Sequence, residues 1–159
     1  MNRTITHLAA TGIALAISLS ASADFTGKVV AVTDGDSITV LRMREPVEVR
    51  LVGIDAPERA QPYGNRSRQA LTGLVRGREV RVVEHGTDRY QRTLGRVYRG
   101  NLDVNAEQVR RGMAWVFRTY ATDASLFAIE AEARESKRGL WRDPQAVPPW
   151  EWRRESHRE

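Results

Sequence analysis

The sequence predicts a small α+β domain in which a strongly coiled, partly closed sheet is accompanied by helices. Three observations carry that expectation. Five alternating or β-branched stretches of strand length recur along the chain, Gly, Pro, Asn and Asp punctuate them, and three helix-period segments lie between and after them. A sheet of this size hides both faces most economically by curling into a barrel.

The first strand is Phe25–Thr33, and Asp34-Gly35-Asp36 is a tight turn into the second, Ser37–Leu41. Glu45-Pro46 breaks that run. Val47–Val52 is a third strand, alternating until it becomes wholly apolar, and Gly53–Pro62 is a loop with two prolines. Arg66–Val75 places Ala70, Leu71, Leu74 and Val75 on one helical face, and Gly77 ends it. Arg78–Glu84 alternates as a fourth strand. His85–Gln91 is a polar loop, in which His85 reads as a solvated side chain without a catalytic role, and Thr93–Arg99 is the fifth strand. Asn105 is placed to cap a short helix through Arg111, with Gln108 completing a capping box and Gly112 at the far end. Ala114–Phe117 is a short apolar strand. Ser125–Arg138 is the clearest helix, with Leu126, Ile129 and Ala133 on one face and Glu130 spaced to pair with Arg134. After Trp141 the composition changes. Residues 143–159, with Pro144, Pro148, Pro149, Trp150 and Trp152, read as a Pro/Trp-rich tail that follows a domain over 24–142.

The first 23 residues stand apart. A positive start at Met1–Arg3, the apolar run Leu8–Leu19 and the small-residue pattern Ala21-Ser22-Ala23 form a secretory signal peptide, cleaved after Ala23. The run is short for a membrane anchor. The protein is therefore expected to be exported, to a periplasm or beyond, with no membrane association after cleavage. It has no cysteine, which excludes disulfides, thiolate nucleophiles and zinc–thiolate sites. The formal net charge is +5, and Lys28 and Lys137 are the only lysines, so the positive charge is almost all arginine. Such a surface suits polyanionic partners, although a solvated basic surface is the plainer reading of charge alone.

Four acidic residues fall in loops or at strand ends: Asp34, Asp36, Asp55 and Glu58. Two arginines have comparable places, Arg50 in the third strand and Arg92 just before the fifth. Carboxylates without neighbouring His or Cys favour a hard cation such as calcium or magnesium. A cation of that kind polarises a phosphoryl oxygen, a further carboxylate directs a water, and arginines clamp the phosphate as charge develops. Phosphodiester hydrolysis suits these parts. Each also has a duller reading: a hairpin turn at Asp34-Gly35-Asp36, an edge-strand surface residue at Arg50, an acidic helix-starting turn at Asp55–Glu58, and a surface ion pair at Arg92.

Asp34-Gly-Asp-Ser37, Val49-Arg-Leu-Val-Gly-Ile-Asp-Ala-Pro-Glu58, Asp88-Arg-Tyr-Gln-Arg-Thr-Leu-Gly-Arg-Val-Tyr98, Asn105-Ala-Glu-Gln-Val-Arg-Arg-Gly-Met-Ala114 and Arg138-Gly-Leu-Trp141, in that order, resemble the thermonuclease, or staphylococcal-nuclease-like, family. The resemblance runs from about Phe25 to Trp141. It implies a five-stranded OB-type β-barrel with about three helices, and calcium-dependent cleavage of DNA and RNA at the bond to the 5′ oxygen, leaving 3′-phosphate ends. It implies that Asp36, Asp55 and the carbonyl of Ala56 hold calcium, that Glu58 is the general base or water-orienting group, that Arg50 and Arg92 stabilise the transition state, and that Asp34 tunes the site from behind. Substrate binding would fall to Tyr90, Arg118 and Tyr120. The chain departs from the family at Ser37 and Ala56, where Thr is usual, at Gln91, where Gly is common, and at Arg118, which stands in place of a stacking tyrosine. No stable protein partner is implied, and a monomer is expected. Two other readings compete: a non-catalytic OB-fold module that binds nucleic acid, and an exported interaction protein anchored by Trp150 and Trp152.

Overall fold

The computed structural model describes residues 24–119, 121 and 123–156. The expected signal peptide and Tyr120 lie outside the described residues. Among the described residues the strands are β1 (Phe25–Val32), β2 (Ser37–Arg42), β3 (Glu45–Leu51), β4 (Ile54–Asp55), β5 (Glu79–Thr87), β6 (Thr93–Arg99), β7 (Leu102–Asp103) and β8 (Trp115–Val116). The helices are α1 (Gly64–Val75), α2 (Val104–Arg110), α3 (Ala124–Glu135) and α4 (Pro149–Ser156), with a 3-10 turn at Gly139–Arg142. Strand order is β3-β2-β1-β5-β6, and a parallel pairing of β3 with β6 closes the ring into the expected five-stranded barrel.

Alternation dictates this closure. Val29, Val40, Val49, Leu51, Val82 and Val97 all point into one dry core, and a curled sheet is the arrangement that lets all of them do so. Gly95 of β6 marks a tight place in the wall, because a Cβ there would stand 2.7 Å from Val82 Cγ1 and 2.8 Å from Val49 Cγ1. Helix α1 packs on β1 and α2, and α2 on β6 and α3, so the helices cover the outside of the barrel.

Several elements differ from the sequence reading. Pro46 does not break a strand. It pairs with Leu41 within β3, and β6 meets only Val49–Leu51, so the proline lies where β3 has a free edge and its missing N–H costs no ladder bond. The β2–β3 connection is instead Met43-Arg44, both with positive φ. Strand β5 continues to Thr87, past a bulge after Glu84. The cap of α2 is Asp103, whose side chain accepts from Ala106 N at 3.0 Å, rather than Asn105. Asn105 is fully buried, accepts from Val97 N at 3.0 Å and donates to Val52 O at 2.9 Å, which ties α2 to the barrel. Helix α3 starts at an Asp123 cap, and Glu130 is buried in its packed face, where it accepts from Val116 N at 2.9 Å.

Residues 143–156 fold back onto the domain and carry α4, a fourth helix beyond the expected three. Trp150 stacks on Phe117 at 5.7 Å and meets Trp115 edge-on at 5.8 Å. Trp141 is edge-on to Trp115 at 4.3 Å, and the Arg134 guanidinium lies over both rings.

Candidate active site

The turn before β2, the end of β3, the β4 segment and the β5–β6 hairpin meet at one mouth of the barrel. They enclose a cleft of about 620 Å³. The sequence brings them together for local reasons. Gly35 is required in the Asp34–Asp36 turn, since a Cβ would run into Ser67 Oγ of α1 and come within 2.7 Å of Ala56 Cβ. The buried Gln108 of α2 donates to Gly35 O at 2.7 Å and so fixes the turn from below. Among the described residues Gln108 Oε1 finds no donor. The residue is held for its amide nitrogen, not for the capping box its position suggested.

Asp34, Asp36, Arg50, Asp55, Ala56, Glu58, Tyr90 and Arg92 all line this cleft. Asp36 and Asp55 are 4% and 1% exposed. Arg50 is not an edge-strand surface group: its guanidinium bridges the two carboxylates, Nη1 to Asp36 Oδ2 at 2.8 Å and Nη2 to Asp55 Oδ1 at 2.9 Å, and also donates to Ile54 O at 3.1 Å. Asp36 further accepts from Ala56 N at 2.6 Å and from Ser37 Oγ at 3.1 Å, while Asp34 accepts from Asp36 N at 3.2 Å. Burial pushes the Asp36 carboxyl well above the usual carboxylate range. Arg50 pulls against that rise, and neighbouring Asp34 and Asp55 add to it.

Arg92 pairs with Asp88, through Nε at 2.8 Å and Nη2 at 2.8 Å. Asp88 also accepts from the backbone N–H of Tyr90 at 2.8 Å and of Arg92 at 3.0 Å. Partial burial opposes ionisation of Asp88, but the bonds from Arg92 and Tyr90 together hold its carboxyl below the usual range. The same hairpin holds Gln91 in the left-handed region, φ 64°, a conformation that glycine adopts more readily than a residue with a side chain. Tyr90 is 64% exposed and lies beside Arg92, whose guanidinium carbon is 5.6 Å from its ring centroid. Arg118 does not line the cleft; it lies over Phe127 and 3.8 Å from Glu130.

Sequence reasoning missed one cleft residue altogether. Arg153, on α4, donates from Nη2 to Asp55 Oδ2 at 2.7 Å and from Nη1 to Glu58 Oε1 at 2.6 Å. Gln61 braces the same region, accepting from Glu58 N at 3.1 Å and donating to Val147 O at 2.6 Å. A tail without helical period gave no signal for Arg153. Among the described residues no three acidic or His side chains converge as a ready cation cage, because the oxygens of Asp36, Asp55 and Glu58 are turned to Arg50 and Arg153.

The family model described as Staphylococcal nuclease homologue matches residues 48–143. The chain belongs to this family. Within the matched span lie Arg50, Asp55, Glu58 and Arg92; the Asp34–Asp36 turn and Arg153 fall outside it. Full-length likenesses reach further. The chain is 47% identical over 158 residues to a Micrococcal nuclease of Shigella flexneri, covering 92% of this chain and 91% of that protein. It is 48% identical over 155 residues to Protein ParB of Escherichia coli, covering 90% and 87%. An Uncharacterized endonuclease of Escherichia coli O157:H7 is 49% identical over 132 residues, covering 82% and 86%. With staphylococcal-nuclease membership and a closed barrel of this kind, the chain is a nuclease-type hydrolase.

Proposed function

We propose that this chain is a calcium-dependent endonuclease that hydrolyses phosphodiester bonds in DNA and RNA and leaves 3′-phosphate ends. One observation carries the reading: two buried carboxylates, a third carboxylate and two arginines converge on a single cleft in a staphylococcal-nuclease fold. The donor set fits a hard cation. Asp36 and Asp55 offer carboxylate oxygens with no nitrogen or sulfur ligand beside them, and the mutual repulsion of Asp34, Asp36 and Asp55 is relieved by added positive charge. Asp36, Asp55 and the Ala56 carbonyl would hold the calcium, with Asp34 behind them. When bound there, calcium supplies Lewis-acid polarisation of a phosphoryl oxygen.

The side chains do the rest. Glu58 takes a proton from the attacking water as its oxygen bonds to phosphorus. The bond from phosphorus to the 5′ oxygen breaks, that oxygen is protonated from solvent, and the phosphate stays on the 3′ side. Arg50, fixed by two carboxylates and a carbonyl, and Arg92, fixed by Asp88, present guanidinium groups to the equatorial oxygens as charge develops. Asp88 is a positioning residue in this scheme. Tyr90 offers an exposed ring face for a base, while Arg118 and Tyr120 would meet substrate farther from the scissile bond. The test is digestion of DNA and of RNA with calcium and with a chelator, followed by end-group analysis. Cleavage of both that stops on chelation and yields 3′-phosphates is expected; salt-sensitive binding with no products under calcium overturns the reading.

We also propose export, supported by the Leu8–Leu19 run and the Ala21-Ser22-Ala23 pattern. N-terminal sequencing of protein from the cell envelope should begin at Asp24; retention of Met1 overturns it.

A further inference from the structure

Helix α4 places a positive charge where the proposed reaction needs a different one. Asp55 is almost wholly buried and is shared by two guanidiniums, that of Arg50 on Oδ1 and that of Arg153 on Oδ2. Arg153 also takes Glu58 Oε1 at 2.6 Å. One of the two Glu58 oxygens is thereby turned to the guanidinium instead of to water.

The two arginines are held very differently. Arg50 belongs to a barrel strand and also bonds a backbone carbonyl. Arg153 stands on an eight-residue helix, too short to be stable alone, and its side chain is 39% exposed. That helix is mounted through Trp150, one turn earlier, on Phe117 and Trp115, and through the Val147 carbonyl on Gln61. The mounting does not involve the guanidinium, so Arg153 can leave the carboxylates by side-chain rotation while α4 stays docked.

We propose that α4 is an internal competitor for the metal, its Arg153 guanidinium occupying the Asp55 and Glu58 carboxylates until a divalent cation displaces it. The inference rests on the proposed metal role of Asp55. The physical basis is exchange of like for like. A guanidinium between two carboxylates offsets one of their two negative charges, and a dication on Asp55 makes that arrangement repulsive. Linkage then requires reciprocity: whatever Arg153 costs calcium in affinity, calcium costs Arg153 in docking. The cleft is therefore less negative when calcium is scarce, with one oxygen of its water-directing carboxylate engaged, and becomes competent as calcium rises.

The test is calorimetric titration of calcium into chelator-treated protein, for the wild type, Arg153→Ala, Arg153→Gln and, as a control on the same helix, Glu151→Ala. Competition predicts calcium binding tighter by on the order of tenfold in both Arg153 variants, and unchanged in Glu151→Ala. Equal or weaker binding in the Arg153 variants overturns the competition while leaving the metal reading intact. Absence of calcium binding in wild type and variants alike overturns both, which keeps the two failures distinguishable. A readout that needs no variant to fold is the side-chain Nε–H resonance of Arg153 in wild-type protein. It should move towards the position of a free arginine as calcium saturates, and a resonance that stays put at saturation overturns the proposal.

Discussion

Replacing Arg50 with Met isolates what a single guanidinium does for this cleft. The side chain is about the same length, so the cavity stays filled, but Asp36 and Asp55 lose their shared partner. Breaking a buried ion pair by removing one partner costs about 3–5 kcal/mol. The lower end applies here. Arg153 continues to serve Asp55, and Asp36 keeps its bonds from Ala56 N and Ser37 Oγ. The expected loss is therefore about 3 kcal/mol near pH 8. It should also depend on pH with a definite sign. Burial already raises Asp36, Arg50 is the strongest influence lowering it, and without Arg50 it rises further. A carboxyl whose folded pKa lies above its unfolded one adds stability at low pH and loses it as pH rises through the folded value. The variant thus loses stability faster than wild type on raising the pH, by about 1.4 kcal/mol per pH unit between the two folded values. Urea unfolding with a chelator, at intervals from pH 5 to pH 8, measures this. Parallel curves for the two proteins, or a gap below about 1 kcal/mol at pH 8, would refute the reasoning. At temperatures where both remain folded, turnover should fall on the order of 10²–10³, the scale for losing a transition-state donor.

Three further outcomes are expected. Glu58→Gln should lower kcat on the order of 10²–10⁴ with little change in melting temperature, because the side chain is partly exposed; unchanged kcat removes Glu58 from the reaction. Gln108→Leu should cost about 1–3 kcal/mol, towards the lower value because Oε1 already lacks a donor, and should lower activity through the freed Asp34–Asp36 turn; calorimetric melting and a rate assay that both match wild type would sink it. Asp123 is held below the usual carboxylate range by its bonds from Ser125 and, against slight burial, by Arg96. Its contribution is complete above the unfolded value of about pH 4 and is lost as pH falls through the depressed folded value. Asp123→Asn keeps a capping residue but should flatten that acid decline, so a gap from wild type as large at pH 2 as at pH 7 is the contrary result.

The barrel was legible because its strands are β-branched or alternating and most of its turns are marked; the Met43-Arg44 turn, which carries no Gly, Pro, Asn or Asp, was not. Val29, Val40, Val49, Val82 and Val97 mark one face of the sheet, and that face became the barrel interior. Buried polar residues were the opaque part. Asn105 and Gln108 stand where a cap and its reciprocal partner would stand, and sequence spacing does not distinguish a solvent-side capping box from two amides turned inward. Glu130 pairs with Arg134 at 3.4 Å as its spacing predicts, but spacing could not show that its buried carboxylate also holds β8 from within. At the site, residue types and loop positions pointed to metal-assisted phosphate chemistry, and the family resemblance supplied the assignment to individual residues. Arg153 was beyond reach on both counts. It meets Asp55 across 98 positions of sequence, from a short helix inside a stretch read as a Pro/Trp-rich tail.

Three of the cleft arginines, Arg50, Arg92 and Arg153, form a series in how firmly they are held, and the series separates two kinds of work. Arg50 is 15% exposed, rooted in the barrel and bonded to two carboxylates and backbone. Arg92 is 27% exposed and held by one carboxylate at the neck of a hairpin. Arg153 is 39% exposed and reaches the cleft from a short surface helix. Electrostatic stabilisation of a transition state is largest when the donors do not reorganise as charge develops, which favours Arg50 and Arg92. An occupant that must leave its carboxylates needs the opposite property, a mounting that survives its departure. Trp150 and Val147 provide that mounting for Arg153. Moving restraint from one arginine to another should therefore change different observables: loosening Arg92 through Asp88→Asn should lower kcat without altering calcium affinity, whereas removing Arg153 should alter calcium affinity first.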